Sequence, residues 1–259
     1  MYVCLLNTDA TLLRQKRLLK AGDTLVDLSR VHNLRLMSPG KVLEEVSLKL
    51  SRIPVGLSFL GSGDFHHLTL LFLRKLRTSF TLVVLDRHLD MHTAPPGFVT
   101  CGSWLREALG LPCLEEVYVL GVQEEALTNT EGWLGATGDA TKLKVYPSKA
   151  FLPAVREVLE KVRGRRVYIS VDKDVLASPC AWTTWGQGEL RSGPVFYLLR
   201  NLKNCARVIG VDVCGEYIPA SVIPGPRDWG KIEANEVFNL AMLRLFAGSK
   251  CSGSTVKAV

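Results

Sequence analysis

From residue 54 onwards, short apolar runs of strand type alternate with stretches of helical periodicity. Parallel strands need such a crossover between them, and a sheet covered by helices on both faces contains continuous apolar strands. The pattern therefore predicts an α/β fold with a mainly parallel sheet. The predicted strands span residues 55–60, 82–85, 117–122, 144–146, 167–171 and 208–213. One predicted helix ends near residue 75, and the others span residues 103–109, 153–162, 194–202 and 232–246.

The first 50 residues carry a weaker pattern. A strand is predicted at 2–6 and helices at 12–20 and 42–50, whereas residues 24–37 fit neither class. No repeat, low-complexity linker or change in composition divides the sequence, so we expect a single domain over residues 1–259. Residues 249–259 are mostly small and polar, and we expect them to form a flexible, frayed tail.

The composition is typical of a protein with a large core and a mildly basic surface. Of the 259 residues, 47% are hydrophobic and 22% charged, and the formal net charge is +7. Positive charge can indicate nucleic acid, but the sequence has neither an aromatic-rich basic run nor zinc-finger spacing. We therefore expect a small-molecule substrate and no nucleic-acid partner.

The cysteines and the N-terminus indicate a cytoplasmic protein. The seven cysteines are scattered, odd in number and without a C-x-x-C pair, which is typical of reduced thiols. The first ten residues lack the basic region and apolar core of a signal peptide. No apolar run approaches the roughly 18 residues of a membrane span, so no membrane partner is expected.

Acidic residues and histidines follow several predicted strands directly. After the strand at 82–85, Asp86, His88 and Asp90 would share one side if the extended backbone continued through them. The carboxyl ends of parallel strands line the ligand site of such a sheet, so polar side chains there should meet. The converging residues are His66, Asp86, His88, Asp90, Asp172 and Asp174.

Four carboxylates and two imidazoles at one place indicate metal, because they would otherwise repel one another and lose hydration. Singly, Asp86 could cap a helix and His66 could be a structural histidine, but the joint pattern favours ligands. One divalent ion rarely takes so many anionic ligands, so we expect two. Oxygen-rich ligation with some imidazole suits Mn²⁺, with Zn²⁺ or Fe²⁺ as alternatives. Such a pair activates a bridging water, and the expected reaction is hydrolysis.

Three motifs resemble those of the arginase/agmatinase (ureohydrolase) superfamily. The family's G-G-D-H, D-A-H-x-D and S-x-D-x-D segments appear here as residues 61–66 (G-S-G-D-F-H), 86–90 (D-R-H-L-D) and 170–174 (S-V-D-K-D). The match covers residues 54–216 in the family's order, and the chain resembles a divergent arginase-like branch. The resemblance implies a three-layer α/β/α fold with about eight mainly parallel strands, and it makes a homo-oligomer an open expectation.

The resemblance also implies a ligand set for each of two Mn²⁺ ions. One ion would be bound by His66, Asp86, Asp90 and Asp172. The other would be bound by Asp86, His88, Asp172 and Asp174. Asp90 would also orient the attacking hydroxide by hydrogen bonding.

Two departures from the family concern the ligands and the proton relay. An extra Phe65 precedes the histidine pair, so His66 or His67 could be the ligand, and the register of the following helix favours His66. Cys101 occupies the place of the family's proton-shuttling histidine. Either Cys101 or His92 could relay protons. Alternatively, Cys101 could be a buried structural thiol, and His92 could support a ligand or lie at the surface.

Two further departures concern the substrate. The family's Asp-Pro after its third motif is missing, and Trp185, a few residues beyond the segment that replaces it, could line the substrate pocket or pack in the core. The family's substrate-binding glutamate lies three residues after a strand aspartate, whereas Glu216 lies four residues after Asp212. We expect Glu216 to hold a cationic group and Asp212 to support a ligand histidine.

The sequence thus predicts a dinuclear manganese-dependent hydrolase that cleaves a C–N bond of a guanidino, amidino or related amide compound. A single-zinc deacetylase-like amidohydrolase is one alternative, since those enzymes share the architecture but use one Asp-His-Asp set. A metal-binding protein without turnover is the other, because the shuttle histidine is replaced and Glu216 is displaced.

Overall fold

The computed structural model of the protein describes residues 1–127, 140–248 and 257–258. Its strands are β1 (Val3–Asn7), β2 (Thr24–Asp27), β3 (Met37–Pro39), β4 (Leu57–Phe59), β5 (Phe80–Leu85), β6 (Phe98–Thr100), β7 (Leu114–Val122), β8 (Leu143–Pro147), β9 (Arg166–Asp172), β10 (Arg207–Cys214) and β11 (Lys257–Ala258). Its α-helices are α1 (Lys16–Ala21), α2 (Gly40–Leu50), α3 (Thr69–Leu73), α4 (Trp104–Leu109), α5 (Glu124–Leu127), α6 (Phe151–Lys161), α7 (Ser192–Cys205) and α8 (Pro226–Phe246).

Nine strands form one sheet in the order β11-β2-β1-β4-β10-β9-β5-β7-β8. All of their pairings are parallel. The strands β3 and β6 form a separate antiparallel ribbon, in which Met37 lies opposite Thr100. The predicted α/β class with a mainly parallel sheet is confirmed. Because all the sheet strands run the same way, the loops after β4, β5, β9 and β10 lie at one edge.

Helices cover both faces of the sheet, as the apolar strands require. In β5, Leu82 and Val84 belong to a core that contains residues of α2, α3 and α4. Val83 and Leu85 alternate with them and belong to a second core, with residues of α1, α6, α7 and α8. This alternation follows from the two-residue period of a strand. The predicted three-layer α/β/α arrangement is confirmed.

The closing helix is longer than the sequence pattern predicts, and the N-terminal segment contains strands where no element was predicted. Helix α8 begins at Pro226, six residues before the apolar periodicity predicts, with a proline in its first turn. The Asp228 carboxylate accepts a hydrogen bond from the backbone N–H of Gly225 (2.9 Å) and so caps this start. Residues 24–37, which fitted neither class, contain β2 and the first residue of β3.

Most of the predicted tail, residues 249–256 and 259, lies outside the described residues, whereas Lys257–Ala258 pair with β2. No helix in the described ranges is long and apolar enough to cross a membrane. The six cysteines of those ranges are free thiols.

Candidate metal centre

A cleft of about 330 Å³ opens where β4, β5 and β9 end. All six predicted metal ligands line it, and each lies at the end of one of these strands or in the loop that follows it. These residues are His66, Asp86, His88, Asp90, Asp172 and Asp174. As expected from their positions at strand ends, these side chains all lie in one cleft.

The ring of His66 lies among three carboxylates. Its Nδ1 is 3.2 Å from Asp86 Oδ2, 3.2 Å from Asp90 Oδ2 and 3.7 Å from Asp172 Oδ2. His66 and Asp86 are fully buried and Asp90 nearly so. An ion between these atoms would receive one nitrogen and up to three oxygen ligands, a set that suits a divalent cation.

A second group lies beside the first and shares Asp86 with it. His88 Nδ1 is 2.8 Å from Asp174 Oδ2 and 3.5 Å from Asp86 Oδ1. Asp86 thus directs one carboxylate oxygen to each histidine. The potential ligand atoms of Asp86, His88 and Asp174 all lie within 4.8 Å of one another, as do those of His66, Asp86 and Asp90.

The loop after β5 brings Asp86, His88 and Asp90 together in a different way from the one expected. Strand β5 ends at Leu85, and Asp90 has a left-handed backbone (φ 52°), so the expectation of a continuous extended backbone is wrong. The loop is fixed by hydrogen bonds: the His88 N–H donates to Asp86 Oδ1 (2.6 Å), and the Trp104 indole N–H donates to Asp90 Oδ2 (2.7 Å). Aspartate tolerates the left-handed region better than most residues, and these bonds offset its cost.

The charges of the cluster fit a bound cation. Burial, together with the nearby carboxylates of Asp172 and Asp86, raises the pKa of Asp174 well above its usual range. Burial acts in the same direction on Asp86, but the rings of His66 and His88 hold the pKa of Asp86 below its usual range. Asp174 Oδ2 is buried and receives no hydrogen bond, although His88 Nδ1 is 2.8 Å away. An imidazole nitrogen and a carboxylate oxygen that lie this close together could both coordinate the same ion.

The two adjacent histidines have different surroundings. His66 faces the carboxylates of the cleft, whereas His67 Nε2 lies 2.9 Å from the Ser38 hydroxyl on the other side of the loop. Burial, and to a lesser extent the neighbouring His66, lowers the pKa of His67 to about 3. The structure therefore brings His66, and not His67, to the cluster.

A chain of hydrogen bonds supports His66 from behind. Its Nε2 lies 2.9 Å from Ser170 Oγ, and this hydroxyl donates to Asp212 Oδ1 (2.7 Å). The Tyr168 hydroxyl donates to the other oxygen of Asp212 (2.8 Å). In the sheet, Asp212 of β10 lies opposite Ser170 of β9, so strand register sets this chain. Asp212 thus contacts the histidine through Ser170 and not directly.

Cys214 also adjoins the cluster, which the sequence motifs did not indicate. It lies opposite Asp172 in the register of β10 and β9, and its Sγ is 3.1 Å from Asp172 Oδ2. Its Sγ forms a third group of potential ligand atoms with His66 and Asp172, within 4.8 Å of one another. The signal for it was its position two residues after Asp212, on the same face of β10.

Glu216 does not line the cleft. It is buried, and its carboxylate forms an ion pair with the buried Lys173 Nζ. Gly215, at the position where the family's spacing would put the glutamate, has φ 84°, and a Cβ there would lie 2.3 Å from Asp172 Oδ1. Only glycine fits between this loop and the metal cluster, so the acidic residue is one position later and faces the interior.

The other predicted residues line the open side of the cleft. Trp185, His92 and Cys101 all contribute to its wall. Burial, followed by the charge of Asp90, raises the pKa of the Cys101 thiol to about 12. The His92 backbone N–H donates to the Gly102 carbonyl (2.9 Å), which fixes His92 beside the segment that carries Cys101.

Comparison with known sequences shows which family this chain resembles. The model of the arginase family matches residues 13–222. An uncharacterised protein of Thermotoga maritima is 31% identical over 230 residues, which cover 88% of this chain and 83% of the relative. Both the length and the identity of this match are enough to mark a homologue over most of the chain.

Two solved structures have the same fold. Proclavaminate amidino hydrolase from Streptomyces clavuligerus superposes with a TM-score of 0.64 at 17% identity, over 96% of this chain and 92% of that one. Arginase from Bacillus subtilis superposes with a TM-score of 0.63 at 17% identity, over 93% and 97%. The chain therefore belongs to the arginase family.

Proposed function

We propose that the protein is a dinuclear metal-dependent hydrolase that cleaves a C–N bond of an amidino, guanidino or related amide compound. The observation that carries the proposal is the pair of ligand groups around His66 and His88, which share the carboxylate of Asp86. Two groups with a common carboxylate favour two ions over the single zinc of a deacetylase-like enzyme. Members of the arginase family are metal-dependent hydrolases, which supports the same reaction class.

The donor set supports Mn²⁺ as the native metal, because four carboxylates and two imidazoles form a mostly oxygen-rich site. Of the two ions, one would be bound by His66, Asp86, Asp90 and Asp172. The other would be bound by Asp86, His88, Asp172 and Asp174. When bound, such ions acidify a water molecule and polarise the carbon centre that it attacks.

The protein's own residues would orient the reactants and move the proton. The Trp104 indole fixes Asp90 at the floor of the cleft, where its carboxylate can accept a hydrogen bond from the attacking water. Hydrolysis forms a C–O bond, breaks the C–N bond and needs a proton on the leaving nitrogen. His92 lines the same cleft, and an imidazole has one nitrogen that can donate a proton and one that can accept it, so we assign this transfer to His92. The high pKa of Cys101 makes the thiol a poorer relay.

The proposal is tested on protein loaded with Mn²⁺. Elemental analysis gives the number of ions per chain, and a panel of guanidines, amidines and N-acyl amines is assayed for release of urea, ammonia or carboxylate. We expect two ions per chain and turnover of at least one class, both lost in Asp86→Ala. A single ion per chain would favour the deacetylase-like alternative, and two ions without turnover of any class would contradict hydrolysis.

A further inference from the structure

One part of the wall of the cleft is apolar and partly exposed. The side chains of Leu36, Met37 and Trp185 line it, with 43%, 40% and 45% of their surface exposed. Exposure of large apolar side chains to water is unfavourable. A ligand that covers these side chains would remove apolar surface from water, so this wall favours ligands with an apolar part.

Leu36 is held in this wall by an unusual backbone conformation. Its φ is 66°, in the left-handed region, which is unfavourable for a leucine. Both of its backbone groups are bonded: the Leu36 N–H donates to the Asp64 carbonyl (3.0 Å), and the Leu36 carbonyl accepts from the Cys101 N–H (2.8 Å). Strain that is held by specific bonds beside a cleft is typical of residues that position a ligand.

Asp64 connects the two sides of the apolar wall. Its Oδ1 accepts a hydrogen bond from the Trp185 indole N–H (2.7 Å), and its Oδ2 accepts one from Arg35 Nε (2.6 Å). Since its backbone carbonyl also binds Leu36, this one buried residue fixes Trp185 on one side and the Arg35–Leu36 segment on the other. The Trp185 ring also meets the His88 ring edge-on, with centroids 6.0 Å apart, so it reaches the metal ligands.

The carboxylate expected to bind a cationic substrate is engaged elsewhere. Glu216 pairs with Lys173 and also accepts hydrogen bonds from the side chains of Gln15 (2.7 Å), Asn235 (3.1 Å) and Asn239 (2.6 Å). Among the described residues that line the cleft, every carboxylate belongs to the proposed ligand set. The cleft thus offers apolar contacts to the tail of a substrate, whereas the carboxylates of the cleft are those of the proposed metal ligands.

We propose that Leu36, Met37 and Trp185, ordered by Asp64, form a specificity clamp for substrates whose non-reacting end is uncharged and apolar. The inference rests on the proposed function and narrows it: the scissile C–N bond belongs to an amide or amidine with an alkyl or aryl substituent, and not to a compound with a cationic tail. The clamp residues determine specificity and do not take part in bond breaking.

The clamp is tested by binding to Mn²⁺-loaded protein with two hydroxamates that share a metal-binding head. Hexanohydroxamate has an apolar tail, and 6-aminohexanohydroxamate carries an ammonium group at the end of the same chain. By calorimetry we expect the apolar probe to bind at least about tenfold more tightly, since the ammonium group of the other probe would lose hydration at the apolar wall without gaining a free counter-charge there. Equal or tighter binding of the ammonium probe would overturn the clamp, and so would failure of both probes to bind the loaded protein.

Variants separate a specificity role from a structural one. Trp185→Ala and Leu36→Gly should each reduce the preference for the apolar probe, with metal content unchanged. Leu36→Gly is the sharper variant, because glycine adopts the left-handed conformation freely and should not lower the thermal midpoint. Trp229→Ala, which removes an exposed tryptophan of α8 outside the cleft, is the matched control and should keep the preference. A preference that survives both cleft variants would contradict the clamp.

The two proposals fail in different ways. Absence of turnover on every C–N substrate would count against the hydrolase, while the ratio of the two hydroxamate affinities would still decide the clamp. Conversely, efficient turnover of a guanidine with a cationic tail would support the hydrolase and overturn the clamp.

Discussion

Lys173 and Glu216 form an ion pair that is buried directly behind the candidate metal centre. Lys173 lies between Asp172 and Asp174 in the chain, yet its ammonium group faces away from the cleft, toward α8. Asn239 of α8 lies 3.4 Å from Lys173 Nζ and donates to Glu216 Oε1 (2.6 Å). The ends of β9 and β10 are thus joined through charged side chains that are sealed from solvent.

Breaking this ion pair should destabilise the protein strongly. Lys173→Met leaves the Glu216 charge buried without a counter-charge, and we expect it to lower the free energy of unfolding by about 3–5 kcal/mol. Urea unfolding of the protein in EDTA measures this without a contribution from bound metal. The double variant Lys173→Met/Glu216→Gln should recover much of the loss, because it leaves no uncompensated charge.

The surface pair of Lys49 and Glu45 is the matched control for that measurement. It joins two exposed side chains one turn apart on α2 (3.9 Å). Lys49→Met should change the free energy of unfolding by no more than about 0.5 kcal/mol. Equal effects of Lys173→Met and Lys49→Met would show that the buried pair does not hold the strand ends together.

Removing Asp174 should remove one of the two ions. Asp174→Asn keeps the size of the side chain but weakens the group formed with Asp86 and His88, while His66 and its carboxylates are left in place. We expect elemental analysis to fall from two ions per chain to one. Glu45→Gln, an equal loss of charge on the surface, should leave the count at two. A count of two in Asp174→Asn would exclude Asp174 as a required ligand.

The fold and the cluster of acidic residues and histidines could be predicted from the sequence because both follow from local signals. Apolar strand runs such as that of β5 predict the sheet, and residues at the ends of these runs, such as Asp86 and Asp172, must lie at its carboxyl edge. The direction of Glu216 could not be predicted from the sequence, because it depends on Gly215, whose positive φ turns the chain after β10. Cys214 was missed because its contact with Asp172 depends on which strands are neighbours, and this is set by the whole topology.

His92 and Cys101 should differ in their effect on turnover. If His92 carries the proton to the leaving nitrogen, His92→Ala should lower kcat by about 10²–10⁴-fold without changing the metal content. Cys101→Ala should leave kcat nearly unchanged, because a thiol whose pKa is raised to about 12 exchanges few protons at neutral pH. Steady-state kinetics with the best substrate of the panel measures both. The opposite order of effects would assign the relay to Cys101.

The chain of hydrogen bonds behind His66 should tune metal affinity. Asp212 accepts from Ser170, which in turn contacts His66 Nε2, so Asp212→Asn alters the partner that orients the ring. Loss of such outer support typically costs about 10–100-fold in metal affinity, and we expect a decrease of this size in competition with a chelator.

Tyr168→Phe gives the control that shows whether the effect passes through Ser170. It removes the other hydrogen bond to Asp212 (2.8 Å) but leaves the Ser170 contact intact, so its effect on affinity should be smaller. Ser170→Ala should resemble Asp212→Asn, and the double variant should be little weaker than either single one, because both act on the same bond to His66. Fully additive losses would mean that Asp212 influences the metal by its charge and not through the orientation of His66.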